Sequence, residues 1–496
     1  MHIMNLKAAA ALLAALMVLV SSLAITTNTV SAATDNSNEL TTEYLNTTDG
    51  FGGGSHFYVK FGQDAAFGVI WGNNETPNNI YIVSYMSSYL GYIDVYDAQG
   101  NLVEENHLVK VYSIYAMKMD SLIEFSDGSG DGTVRYYRTY SSETGKYSDY
   151  HALRPNVEPL YKKVDLNTSW EATEPVMAEE GNNRSWELTL TAHNLPYEAI
   201  KDGVSVNGVL DNISLTFNLD ASTVQKEGIS VLQYSVNTSN GQFENLQQGA
   251  NASFSGNVTS YHVKWSKDIQ GWDFDASNGH RSLLLELDSL VGTMIPPAAL
   301  AIMTQNQYQL MLRSMGGDTQ VQTYSGDTAA SYDGSNGEFV ASKQALTTPR
   351  LTFGGERSRV GTFEWAQNCT VDGVDLTSHA QIMGAWYAQA WRWRNMEFGG
   401  VAFMVGLTYP GGNRIVQDPS ISSEAITDLA QTTNSNATGR IGTNLGLAVI
   451  GAVAAAVLVG AVILVRRGGG HSGATTYEKK EEKEDQNDWS QYYEKK

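Results

Sequence analysis

The chain has 496 residues, with 53 Asp and Glu against 32 Lys and Arg, a net charge of −21 and one cysteine. That acidity argues against nucleic acid as a partner and against flat docking on anionic lipid. The lone Cys369 excludes an intrachain disulfide, and a chain of this length can bury a core without one.

Residues 1–33 read as a signal peptide. Lys7 is the only charged side chain there, an apolar run extends from Ala8 to Val20, and Val30-Ser31-Ala32-Ala33 offers small residues for cleavage. An uncleaved anchor is the alternative. The next segment, 34–160, reads as a β-rich domain. In Val109-Val111-Ser113-Tyr115-Met117-Met119 one face is largely apolar, while Lys110 and Lys118 fall on the other.

Within that segment Asp127-Gly128-Ser129-Gly130-Asp131-Gly132 has the front half of a calcium loop. Oxygen-bearing side chains occupy positions 1, 3 and 5, glycine stands at 6 and the apolar Val134 at 8. Position 12 is Arg138 and the flanks read as strands, so the motif is not a full EF-hand. Asp127, Ser129 and Asp131 are the expected ligands of a weak Ca2+ site, with a polar hairpin turn as the structural alternative. No other cofactor is expected. Asp273, Asp275, Ser277 and Asn278 form a weaker cluster near His280.

Residues 161–290 read as a second β-rich domain, carried by alternation in Trp186-Leu188-Leu190, Ile213-Leu215-Phe217-Leu219 and Tyr261-Val263-Trp265. Residues 291–419 are a mixed β-rich region that completes or extends the ectodomain. Residues 290–315 carry no charge before Arg313 and are broken by Pro296-Pro297, which suits a core element with a short helix better than a membrane crossing. The pattern leaves His379 to Trp393 open between helix and aromatic strand. Val401, Phe403, Val405 and Leu407 alternate ahead of the turn at Pro410-Gly411-Gly412.

Residues 420–444 read as a polar stalk and 445–465 as a transmembrane helix. Leu445 to Val465 runs without a charge, and at about 1.5 Å per residue its length of roughly 31 Å matches a bilayer. Arg466-Arg467 then places the tail, 466–496, in the cytoplasm. The expected fold class is mainly β: an antiparallel β-sandwich-like ectodomain with minor helices, plus one C-terminal transmembrane helix. The expected location is the cell membrane, as a single-pass type I protein with a large N-terminal ectodomain outside.

Ten Asn-x-Ser/Thr sites fit that topology, all lying between the cleavage point and the span: Asn46, Asn74, Asn167, Asn183, Asn212, Asn237, Asn251, Asn257, Asn368 and Asn436. Asn368 is the weakest, with Cys369 in its middle position. The chain lacks GxSxG, HExxH, P-loop and CxxC motifs, and its nine histidines are scattered singly, so no catalytic residues are assigned. The sequence thus points to a surface glycoprotein with a structural, adhesion or partner-binding role. Its partners would be membrane lipid through the span, and other cell-surface or envelope proteins or itself. A membrane-anchored hydrolase acting on carbohydrate, or a solute-binding receptor, is the alternative.

Overall fold

The computed structural model describes residues 40–47, 54–61, 65–96, 102–141, 146–229, 232–237, 242–248, 254–277, 279–294, 320–322, 328–333, 338–341, 350–353, 361–388 and 398–431. They form strands and connecting loops, with no helix among them. The expected signal peptide, transmembrane segment and tail lie outside the described residues, as do the sequons at Asn251 and Asn436. Among the described residues no helix is long and apolar enough to cross a membrane.

In chain order the strands are β1 (Leu40–Thr47), β2 (Gly54–Phe61), β3 (Ala65–Trp71), β4 (Tyr81–Tyr96), β5 (Leu102–Ser126), β6 (Tyr136–Ser141), β7 (Lys146–Ala152), β8 (Leu160–Asp165), β9 (Glu171–Ala172) and β10 (Val176–Glu180). Next come β11 (Asn183–Pro196), β12 (Glu198–Ala199), β13 (Val209–Ile229), β14 (Leu232–Asn237), β15 (Gln242–Gln248), β16 (Phe254–Gln270), β17 (Arg281–Met294), β18 (Gln320–Gln322), β19 (Thr328–Asp333) and β20 (Glu338–Ala341). The last are β21 (Arg350–Phe353), β22 (Gly361–Glu364), β23 (Asn368–Val371), β24 (Val374–Thr377), β25 (His379–Ala388), β26 (Phe398–Pro410), β27 (Arg414–Gln417) and β28 (Ser420–Gln431).

Two large sheets organise them. The first runs β1-β2-β3-β4-β5-β17-β26-β25, and the second runs β10-β11-β13-β16-β27-β23-β24, with β28 also paired to β16. Apart from a two-residue parallel contact between β14 and β4, the pairs within them are antiparallel. The first sheet draws strands from all three segments distinguished in the sequence, whereas the second is built from residues 171–431 alone, so the sheets do not follow those boundaries. His379–Ala388 is a strand, not a helix, and Ser420–Gln431, the first half of the expected stalk, pairs with β16 as part of the second sheet.

Period-two alternation explains where the core sits. In β13, Ile213, Leu215, Phe217 and Leu219 are buried while Asn212, Ser214, Thr216 and Asn218 are half-exposed. The buried rows of both sheets meet in one apolar cluster that holds Phe67, Trp71, Met117 and Leu285 from the first and Trp186, Phe217 and Trp265 from the second. Ser84 of β4 also hydrogen-bonds Tyr261 of β16 across the gap, and the Phe67 and Tyr261 rings lie 6.2 Å apart. The tight link between β23 and β24 is the dipeptide Asp372-Gly373, with φ of 52° and 84°. Both residues are left-handed there, as a two-residue hairpin matched to strand twist requires.

The outer face of the first sheet has a smaller cover. The hairpin of β6 and β7 lies there, closing a second core of Ile123, Phe125, Val134, Tyr136, Tyr150, Leu160 and Leu284. This small core fixes the hairpin over the polar groups described next.

Candidate functional site

A bulge in β5 builds the most unusual part of the molecule. On β17, Glu286 pairs with Ser121 and the next residue, Leu287, pairs with Met119, so Asp120 is the extra residue. The bulge reverses the alternation of β5. Met117, Met119 and Leu122 all face the main core, while Ile123 and Phe125 face the hairpin. The freed main chain is satisfied locally: Asn79 Nδ2 donates to the Met119 and Asp120 carbonyls at 2.8 and 3.3 Å, and Leu166 N donates to Asp120 O at 3.1 Å.

Ser121, Glu286 and the hairpin then enclose a charged cluster. Glu286 is fully buried, and its carboxylate accepts from Tyr136 Oη at 2.9 Å, Ser121 Oγ at 3.0 Å and Tyr150 Oη at 3.2 Å. Arg138, reaching in from β6, lies 3.1 Å from Glu286, 2.8 Å from Asp120 and 3.5 Å from Asp288. Lys118 pairs with Asp120. Three carboxylates thus face two cations in a space largely closed to water.

That imbalance sets the protonation of the group. Burial pushes Glu286 up to about 7 against the pull of Arg138, helped by the negative charges of Asp120 and Asp288. Burial also raises Asp288. Burial would raise Asp120 too, but Lys118 and Arg138 overcome it and hold the carboxyl down to about 2. The cluster titrates as a unit in which one proton on Glu286 balances the charges.

A pH dependence follows. Glu286 is raised in the fold, so its contribution is complete below its ordinary 4.5 and is lost as pH climbs through about 7. Asp120 is lowered, so its contribution is complete above 3.8 and is lost as pH falls toward 2. His379, lowered by burial, works against the Glu286 trend by favouring higher pH. Melting temperature is expected to fall between pH 5 and 8, and Glu286→Gln is expected to flatten that slope. A slope unchanged in the variant would assign it to other groups.

A second buried ion pair pins the segment after β16. Glu124 accepts from Trp272 Nε1 at 3.0 Å and from the main-chain N–H groups of Asp275 and Ala276 at 2.8 and 2.7 Å. Lys162, also fully buried, donates to Asp275 at 2.7 Å and lies 4.4 Å from the Tyr197 ring centre. Asp275 therefore serves to hold its own segment. His280 instead reaches the Asp127 carbonyl through Nδ1 at 3.1 Å.

The loop of Asp127, Ser129 and Asp131 closes on itself. Asp127 accepts from the Gly130 and Gly132 N–H groups at 2.9 and 3.0 Å, and from Ser129 Oγ at 3.1 Å. Asp131 accepts from the Thr133 N–H and hydroxyl at 2.9 and 2.7 Å, with Arg154 at 3.7 Å. Ser129 also donates to the buried Glu158. Gly132 has φ of 71°, and a Cβ there would strike the His379 ring, so only glycine suits the position. Among the described residues no group of three or more His, Cys, Asp or Glu is placed to hold a metal ion. A cation in this loop would have to replace N–H donors and Arg154.

The edges of the second sheet are the other distinctive surface. At one side β10 is exposed along its whole length, with Val176 66% and Met177 53% exposed. At the far side β24 is likewise exposed, with Val374 59% and Leu376 38% exposed. No described strand pairs with the outer side of either.

No family model, curated protein or solved structure matches this chain. Its functional reading therefore rests on its own residues.

Proposed function

We propose that this is a single-pass cell-surface glycoprotein whose β-sandwich ectodomain has a structural, adhesive or partner-binding role. The observation that carries the reading is the pair of exposed apolar edges, β10 and β24. A free edge offers a row of main-chain donors and acceptors, and apolar side chains along it add burial when another strand is seated. Natural proteins normally blunt such edges with charge. Here Glu179 and Glu180 guard only one end of β10, leaving Val176 and Met177 open.

The partner favoured is a strand of another surface protein or of a second copy. Because β10 and β24 are different surfaces at opposite sides of one sheet, pairing one with the other would be head-to-tail and could propagate. The test is the double substitution Val176→Lys, Met177→Glu in the membrane-anchored protein. Folding stability is expected to change by no more than about 0.5 kcal/mol, because both sites are exposed. Cross-linked assemblies on intact cells are expected to disappear. Their persistence would sink the edge reading.

The sequons support the extracellular placement in part. Asn74, Asn167, Asn183 and Asn368 are exposed, whereas Asn212 lies within β13, half-buried, with its Oδ1 enclosed and lacking a hydrogen-bond partner among the described residues. Glycopeptide mapping is expected to find sugar on exposed sites and none on Asn212. Asn183 pairs with Glu180 at the end of β10, and Asn368 pairs with Thr377 at the end of β24. A sugar at each position would restrict docking to the remainder of the edge.

A further inference from the structure

The alternation that builds β16 contains one residue out of character. Tyr261, Val263, Trp265 and Ile269 all face the core, and Lys267 stands in phase with them, 1% exposed. Its Nζ donates to Gln417 Oε1 at 2.5 Å and lies 4.5 and 5.1 Å from the ring centres of Trp265 and Tyr409. Among the described residues no carboxylate lies within ion-pairing distance of it. Asp418, next to Gln417, is exposed and paired with Lys264 at 2.8 Å, and Asp268, next to Lys267 itself, is bound by Arg414 at 2.7 Å.

An ammonium without a counter-ion is strongly disfavoured in an apolar interior. Burial accordingly drives Lys267 well below the usual lysine range, which leaves a free lone pair on Nζ. The amide facing it is held firmly. Gln417 is the direct cross-strand partner of Lys267, and its Nε2 donates to Ser378 Oγ at 2.8 Å and to Ala366 O at 3.0 Å. Those two bonds turn the carbonyl toward the lysine.

Other proton-bearing groups share this part of the core. Cys369 stands one step beyond the Thr370–Val416 pair, which puts it opposite Gln417 on the same buried face. Burial keeps it a thiol, pushed up to about 11. Tyr409 projects from the facing sheet, 1% exposed, and its hydroxyl has no hydrogen-bond partner among the described residues.

We propose that Lys267 and Gln417 form an intramolecular isopeptide bond that joins β16 to β27. Nζ uses its lone pair to bond Gln417 Cδ, the Cδ–Nε2 bond breaks, and Nε2 leaves as ammonia with the proton that Nζ releases. No oxidant or cofactor is required. Fixing both groups on paired strands replaces a bimolecular encounter with an intramolecular one, the main source of acceleration open to such a reaction. A covalent tie between these strands would suit a protein that bears load at a surface.

The full chain, purified from cells and digested with trypsin, tests this by tandem mass spectrometry. The expected result is a branched peptide containing Lys267 and Gln417, lighter by one ammonia than the sum of its two linear parts and absent from Lys267→Arg. Linear peptides carrying unmodified Lys267 and unmodified Gln417 in full yield would overturn the proposal. The wild-type digest decides the matter even where the variant does not fold.

Discussion

Arg138→Met is expected to destabilise the protein by about 3–5 kcal/mol, the usual consequence of removing one partner from a buried ionic group. The guanidinium touches Asp120, Glu286 and Asp288 at once, and only Lys118 would remain to balance three carboxylates. Methionine fills much of the volume but supplies none of the charge. The loss is expected to be smaller at pH 5 than at pH 8, because Glu286 can take up a proton at the lower value. Adding Glu286→Gln to Arg138→Met is expected to recover part of the loss by removing one uncompensated charge. Urea unfolding of the unaltered protein, Arg138→Met and the double variant at both pH values checks this, and equal losses at pH 5 and 8 would contradict the charge argument.

The second large effect concerns the main core. Trp265→Ala is expected to cost about 3–5 kcal/mol, because the ring is fully buried where the two sheets meet and the cavity cannot collapse completely. Val374→Ala on the exposed edge is the matched comparison, with an expected change within about 0.5 kcal/mol. A loss for Trp265→Ala as small as that of Val374→Ala would mean that the sheets do not pack through that face.

Much of the strand content was legible because a half-buried strand prints its faces on the sequence. Ile213 to Leu219 and Trp186 to Leu190 alternate cleanly, and both lie within long strands, β13 and β11. His379 to Ala388 stayed open because an aromatic, small-residue run has no decisive period. Pairing was not legible at all: β17 lies between β5 and β26, far apart in sequence, and short-range patterns carry no register across such distances.

The charged sites were hidden for a related reason. A bulge breaks the period, and the clue at Met119-Asp120-Ser121-Leu122 is only two polar residues where alternation demands one. Arg138, noted as the wrong residue for position 12 of a calcium loop, is the cation that the bulge and β17 surround. Lys162 and Lys267 left a clearer trace, since each sits in phase with the buried residues of its strand. A lysine in core phase is a signal worth following. The calcium-like motif drew attention to a real loop, but spacing alone could not reveal that its oxygens accept from its own N–H groups.

Photo-cross-linking on intact cells tests the proposed role most directly. A diazirine amino acid would be placed at position 177 on β10 and, separately, at position 374 on β24, in the full chain. The edge reading predicts that each yields a defined protein adduct, either a second copy joined from one edge to the other or one recurrent surface partner. Adducts no more frequent than those from an exposed position away from both edges, such as 153, would contradict it.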